Sequence, residues 1–145
     1  MDDKSPNQNR SDVEYSGSCL CGGVAFSLVG RFDAFYLCHC NRCQKGTGSL
    51  HGANLFSNHL ALVLRRGEAL LQTFKVPNSR HRRCFCKVCG SPMPYRLEAL
   101  NLVVVPAGCL DVEVPITPTA KLFMAERANW GEELQSVPGF DRLPE

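Results

Sequence analysis

The chain lacks any long apolar run. Nowhere do about eighteen apolar residues follow one another, and the polar opening MDDKSPNQNRSDVEYS holds no stretch that would serve as the apolar core of a secretory signal. These absences argue against a membrane-spanning helix and lead to the expectation of a soluble, cytoplasmic protein. Charge of one sign is missing too: the net charge is +2, whereas a nucleic-acid binder more often carries a strong basic excess. Aromatic residues are sparse, and none lies within the basic stretch Arg80-His81-Arg82-Arg83, where a base-stacking surface would interleave them. Nucleic acid is therefore not the expected partner.

Cysteine is plentiful, with nine in 145 residues. A reducing compartment keeps thiols free. The count is odd, and Cys-x-Cys spacing closes rings that fit disulfide geometry poorly. Metal ligation accounts for the pattern better. The cysteines form three groups, Cys19/Cys21, Cys38/Cys40/Cys43 and Cys84/Cys86/Cys89, with Cys109 alone. In Cys86-Lys87-Val88-Cys89-Gly90 the two intervening residues let the backbone turn back so that both thiolates converge on one tetrahedral ion, at about 2.3 Å. Cys19-Leu20-Cys21-Gly22 is a tighter pair whose side chains share one face of an extended chain. Combined, the two pairs make a four-cysteine site joining the first strand to the middle of the chain.

Cys38-His39-Cys40-Asn41-Arg42-Cys43 offers three thiolates from one short segment. Three protein ligands leave a coordination position open, as in catalytic zinc sites, unless His39 or a remote residue closes the shell. His39, flanked by two ligands on an extended chain, points the other way and reads as a packing or supporting residue. Cys84 and Cys109 read as small buried residues. Arg42 and Lys45 flank the cluster and offset its negative charge. Arg80 to Arg83 and Lys87 read equally as a solvated hairpin edge or as a cationic patch beside the site.

The length suits one domain with a real core. Residues 1–15 read as a mobile tail and 16–145 as one mainly β domain with little helix. Gly23 to Val29 alternates around Val24, Phe26 and Leu28, and Leu100 to Pro106 is β-branched. Leu60 to Leu64 and Leu70 to Val76 flank the charged turn Arg65-Arg66-Gly67-Glu68 and resemble a hairpin. A short helix is expected in the second half of 119–134, weakened by Gly131.

The order of these clusters resembles the glutathione-dependent formaldehyde-activating enzyme (GFA) family, which includes the centromere protein V group. The matching text runs from Gly17-Ser18-Cys19-Leu20-Cys21-Gly22 through Cys38 to Lys45 and Arg83 to Ser91, then Ala107 to Asp111, Trp130 and Pro138-Gly139-Phe140. Where relatives commonly carry a His-Ile-Phe-like stretch followed by Ser-Lys, this chain has Lys121-Leu122-Phe123 and Ala125-Glu126-Arg127.

The resemblance implies several coiled antiparallel β-sheets built around zinc-binding cysteine knuckles. It implies a structural zinc on Cys19, Cys21, Cys86 and Cys89, and a catalytic zinc, the more weakly held, on Cys38, Cys40 and Cys43. It also implies a carbon-sulfur lyase-type reaction joining glutathione or a similar small thiol to formaldehyde or another aldehyde. The alternatives are a zinc-stabilised binding module for nucleic acid or protein, and a redox switch in which Cys38, Cys40 and Cys43 form disulfides.

Overall fold

The computed structural model describes residues 13–144. Among these residues the chain is mainly β, with three sheets and one short α-helix. The first sheet has the order β1 (Glu14–Ser18), β2 (Ala25–Gly30), β5 (Leu60–Arg66), all antiparallel. β1 therefore begins inside the segment read as tail, because Glu14 and Tyr15 pair with Val29 and Leu28. The rest of that segment, residues 1–12, lies outside the described residues.

The second sheet has five strands, ordered β11 (Ala120–Leu122), β3 (Ala34–Cys38), β4 (Gly52–Ser57), β10 (Leu102–Pro106), β9 (Tyr95–Leu97). Only the β11 to β3 pairing is parallel. The third sheet joins β6 (Leu71–Lys75), β7 (Arg82–Cys86) and the two-residue β8 (Pro92–Met93). Val24, Phe26 and Leu28 meet Leu55, Val103, Val105, Met93 and Cys86 in one core. The alternation read from 23–29 thus marks the buried face. Ser27 on the opposite face is also buried, and its hydroxyl accepts from Arg65 Nε at 2.9 Å.

The hairpin expected across Arg65 to Glu68 does not form. β5 stays with β2 and β6 pairs with β7, so the turn carries the chain from the first sheet to the third. The charged residues hold the first sheet: Arg65 bonds Ser27, and Arg66 Nε donates to the Gly22 carbonyl at 2.9 Å. Gly67, at φ 85°, reverses the backbone before a 3₁₀ turn over Glu68–Leu70. A Cβ there would strike the Gly23 carbonyl and lie 2.8 Å from Val24 Cα. We expect Gly67→Ala to cost about 2 kcal/mol through left-handed strain and overpacking, lowering Tm by roughly 4–8 °C in a thermal melt.

The short helix expected in the second half of 119–134 is also absent. After β11, Phe123 takes φ 57° and opens a single 3₁₀ turn over Met124–Glu126, and Gly131 packs against Leu50, where a Cβ would come within 2.7 Å. Trp130 and Leu134 are exposed, so the segment has no apolar face to bury as a helix. The α-helix α1 (Asn41–Thr47) lies instead between β3 and β4, inside the cysteine segment read as extended. No helix is long and apolar enough to cross a membrane among the described residues.

Candidate metal centres and the adjoining cavity

Two turns build the first thiol cluster. Cys19 follows β1, and its sulfur accepts from the Val24 N–H at 3.2 Å, curling the chain around it. Cys86 ends β7, where the Gly90 N–H donates to its carbonyl at 2.7 Å. The Leu20 N–H donates to Ser91 Oγ at 2.9 Å and ties the two turns together. The Sγ atoms of Cys19, Cys21, Cys86 and Cys89 all lie within 4.8 Å of one another, with Cys19 to Cys21 at 3.6 Å and Cys21 to Cys86 at 3.9 Å. A tetrahedron of sulfurs about 2.3 Å from zinc has edges of about 3.8 Å, so this donor set fits that ion.

The thiols themselves register the crowding. Hydrogen bonding with the Ser91 hydroxyl and the Ser91 N–H lowers the Cys89 thiol to about 5. The Gly23 N–H pulls Cys21 down, but Cys19, burial, Cys89 and Cys86 together raise it to about 11. Four sulfurs this close resist ionising together, and a bound cation relieves the repulsion.

The second cluster grows from the junction of β3 and α1. Cys38 ends the strand, Cys40 caps the helix by accepting from the Cys43 N–H at 3.4 Å, and Cys43 sits in the first turn. Their three Sγ atoms also lie within 4.8 Å of one another. Glu126 and Gln44 lock the junction. Glu126 Oε1 accepts from the Asn41 N–H at 2.9 Å, and Gln44 Nε2 donates to the His39 carbonyl at 2.7 Å and the Glu126 carbonyl at 3.0 Å. Burial raises Cys43 far above the ordinary thiol range, reinforced by Cys38 and Cys40. Burial raises Cys38 as well, whereas at Cys40 burial is outweighed by the Cys43 N–H, the Cys38 and Cys43 thiols and the Arg42 N–H acting together, and that thiol is lowered. This donor set, three soft sulfurs, suits zinc with a further ligand from outside.

His39 is buried, its ring tilted 56° against that of His51 with centroids 4.9 Å apart and its Nδ1 3.2 Å from the Leu37 carbonyl. Cys84 and Cys109 are both buried, and burial pushes the Cys109 thiol up to about 12. Lys45 and Lys87 are exposed, and neither lines the large cavity described next.

Cys38, Cys40 and Cys43 open on a cavity of about 840 Å³, within the roughly 300–1,000 Å³ range of small-molecule sites. None of the other four clustered cysteines lines it. Its walls come from several regions of the fold: Tyr36 from β3, Asn54 and Phe56 from β4, Tyr95 from β9, Phe123 and Glu126 from the segment after β11, and Arg80 to Cys84 from the β6 to β7 turn and β7. Arg42 joins them from α1. Burial and the charges of Arg42 and Arg83 lower His81. Burial raises the Tyr95 hydroxyl, with Arg82 acting against it.

Sequence reasoning missed Tyr36, Asn54, Tyr95 and Phe123 as cavity residues. Strand alternation places Tyr36 opposite Phe35, but nothing local distinguishes a cavity wall from a solvated face.

A family model described as glutathione-dependent formaldehyde-activating enzyme matches residues 14–126 of this chain. Among solved structures, a crystal structure of a Rhodobacter sphaeroides protein is similar over 73% of this chain and 98% of its own, at 21% identity and a TM-score of 0.54. That likeness is one of fold. No curated protein matches the chain.

Proposed function

The chain belongs to the glutathione-dependent formaldehyde-activating enzyme family, and on that premise we propose that it joins a small thiol, glutathione or one like it, to an aldehyde such as formaldehyde. The reaction is of the carbon-sulfur lyase type and takes place in the cavity beside Cys38, Cys40 and Cys43. One observation carries this reading. Of the two thiol clusters, the three-cysteine one lines a cavity of substrate size, while the four-cysteine one lies away from it.

In this reading Cys19, Cys21, Cys86 and Cys89 hold a structural zinc, and Cys38, Cys40 and Cys43 hold a catalytic one. Zinc at the second site supplies acidity, lowering the pKa of a thiol that enters beside it. The cavity walls do the rest. Tyr36, Phe56 and Tyr95 line the cavity with aromatic surface, and a reactant seated against them displaces water, which strengthens every charge interaction inside. The arginines of β7 and α1 draw anionic reactants in. Sulfur bonds to the carbonyl carbon, the C=O π pair moves to oxygen, and the proton given up by the thiol is balanced by one taken by that oxygen. Holding both reactants in one cavity lowers the entropic barrier.

The test is adduct formation followed by NMR, with zinc-loaded protein, glutathione and formaldehyde at concentrations where the uncatalysed reaction is slow. Acceleration that disappears in Cys43→Ser supports the reading. A rate equal to the protein-free control sinks it. A binding module for nucleic acid finds less support, because Arg80 to Arg83 line a concavity rather than an aromatic platform.

The two metals should also part at different rates. Three protein ligands with an exchangeable fourth hold an ion less firmly than four. Under a chelator, zinc released per chain should therefore appear in two phases, with far-ultraviolet circular dichroism unchanged through the first. Release in one phase would contradict the assignment of roles.

A further inference from the structure

Arg82 holds a polar atom that the fold leaves unmatched. Its Nε is buried without a hydrogen-bond partner, the one buried side-chain nitrogen or oxygen in that condition among the described residues. Such a donor loses its water and receives nothing in exchange, and a guanidinium cannot escape by shedding its proton. Arg82 also lines the cavity and makes no ion pair among the described residues, so an acceptor in the cavity is the natural partner for the accessible end of its guanidinium, the Nε itself being enclosed.

The surroundings define that acceptor. Arg42, Arg80 and Arg83 line the same cavity, and none of the four arginines makes an ion pair among the described residues. Glu126 is the one acidic residue on the wall, and its Oε1 is occupied by the Asn41 N–H at 2.9 Å. The cavity thus presents four forked cations against a single carboxylate with which none of them pairs, an excess that matches an incoming carboxylate in bidentate fashion.

Position relative to the thiol cluster is set by packing. Gly46 on α1 leaves room for the Arg83 side chain, since a Cβ there would lie 3.1 Å from Arg83 Cδ. β7 is thereby seated against the helix that carries Cys43. Arg82, Tyr95 and Cys43 line one and the same cavity.

We infer that Arg82 is a specificity-determining residue that binds a carboxylate of the thiol substrate, so that anionic thiols are taken in preference to neutral ones. The inference rests on the thiol-binding reading above and adds to it the charge class of the substrate and the residue that selects it.

Isothermal titration of the zinc-loaded protein with mercaptopropionate and with mercaptopropanol tests it, the two thiols differing in a carboxylate against a hydroxymethyl group. Wild type should bind the anion roughly ten- to a hundredfold more tightly, the yield of a charged hydrogen bond, and the preference should shrink as salt is raised. Arg82→Met should erase the preference and leave affinity for the neutral thiol unchanged. If that variant does not fold, Arg82→Gln, polar and nearer in size, carries the same expectation. Equal binding of both thiols by wild type overturns the inference while leaving the thiol-binding reading intact. An equal loss of both in the variants also overturns it, since Arg82 would then be structural. Failure of both thiols to bind wild type removes the reading and the inference together.

Discussion

Replacing Cys86 with serine should abolish cooperative folding. Cys86 is fully buried, ends β7, and packs in the same core cluster as Val24 and Phe26. Its sulfur lies 3.9 Å from that of Cys21, 65 residues away in sequence. A metal held by these four thiols would close the loop between the first and third sheets. In zinc-finger peptides such a site contributes roughly 10–16 kcal/mol, as much as the whole net stability of a domain, about 5–15 kcal/mol.

A serine hydroxyl is a poor replacement for a thiolate ligand, and it leaves a buried polar group where sulfur packed. A thermal melt of Cys86→Ser should show no cooperative transition where the parent shows one. A variant that melts cooperatively within a few degrees of the parent would remove the structural role of this cluster.

Replacing Cys43 with serine should leave the fold in place and remove activity. Cys43 sits in a helix of only seven residues and belongs to neither the main core cluster nor the closed four-thiol group. The helix keeps its remaining ties through Glu126 and Gln44. Loss of residues that merely support metal ligands typically costs 10–100-fold, so loss of a ligand should lower kcat/KM by at least about 100-fold.

The informative pattern is the contrast between the two variants: Cys86→Ser without a transition, and Cys43→Ser with a transition close to the parent's but with no turnover. Should Cys43→Ser also fail to melt cooperatively, the three-cysteine cluster is structural and the cavity needs another function.

Part of the fold and of the site is legible in the residues themselves, and the reasons are local. The turn that brings Cys86 and Cys89 together occupies four residues, and the one at Cys19 is closed by hydrogen bonds reaching no further than Val24, five residues on. Strand β10 and the buried face of β2 announce themselves through β-branched and alternating residues. The expectation of a hairpin across Arg65 to Glu68 fails because two apolar segments flanking a turn look the same whether the second strand returns to the first or leaves for another sheet. Here β5 pairs with β2 and β6 with β7, while Arg65 on Ser27 and Arg66 on the Gly22 carbonyl tie the turn to the first sheet. Helix α1 is hidden for a related reason. Its start is capped by a cysteine rather than by one of the usual capping residues.

What the chain's order of residues determined by itself is its inventory of soft ligands and their grouping, together with a mainly β character, because turn geometry and strand alternation act over a handful of neighbours. Tertiary structure alone decided that of the seven clustered thiols three face a cavity and four do not, that Tyr36, Tyr95 and Phe123 wall it, and that Arg82 there carries an unmatched donor. These facts depend on strands far apart in the chain meeting edge to edge. Such meetings are set by the free energy of burying a shared core, a property of the whole chain that no short stretch of it contains.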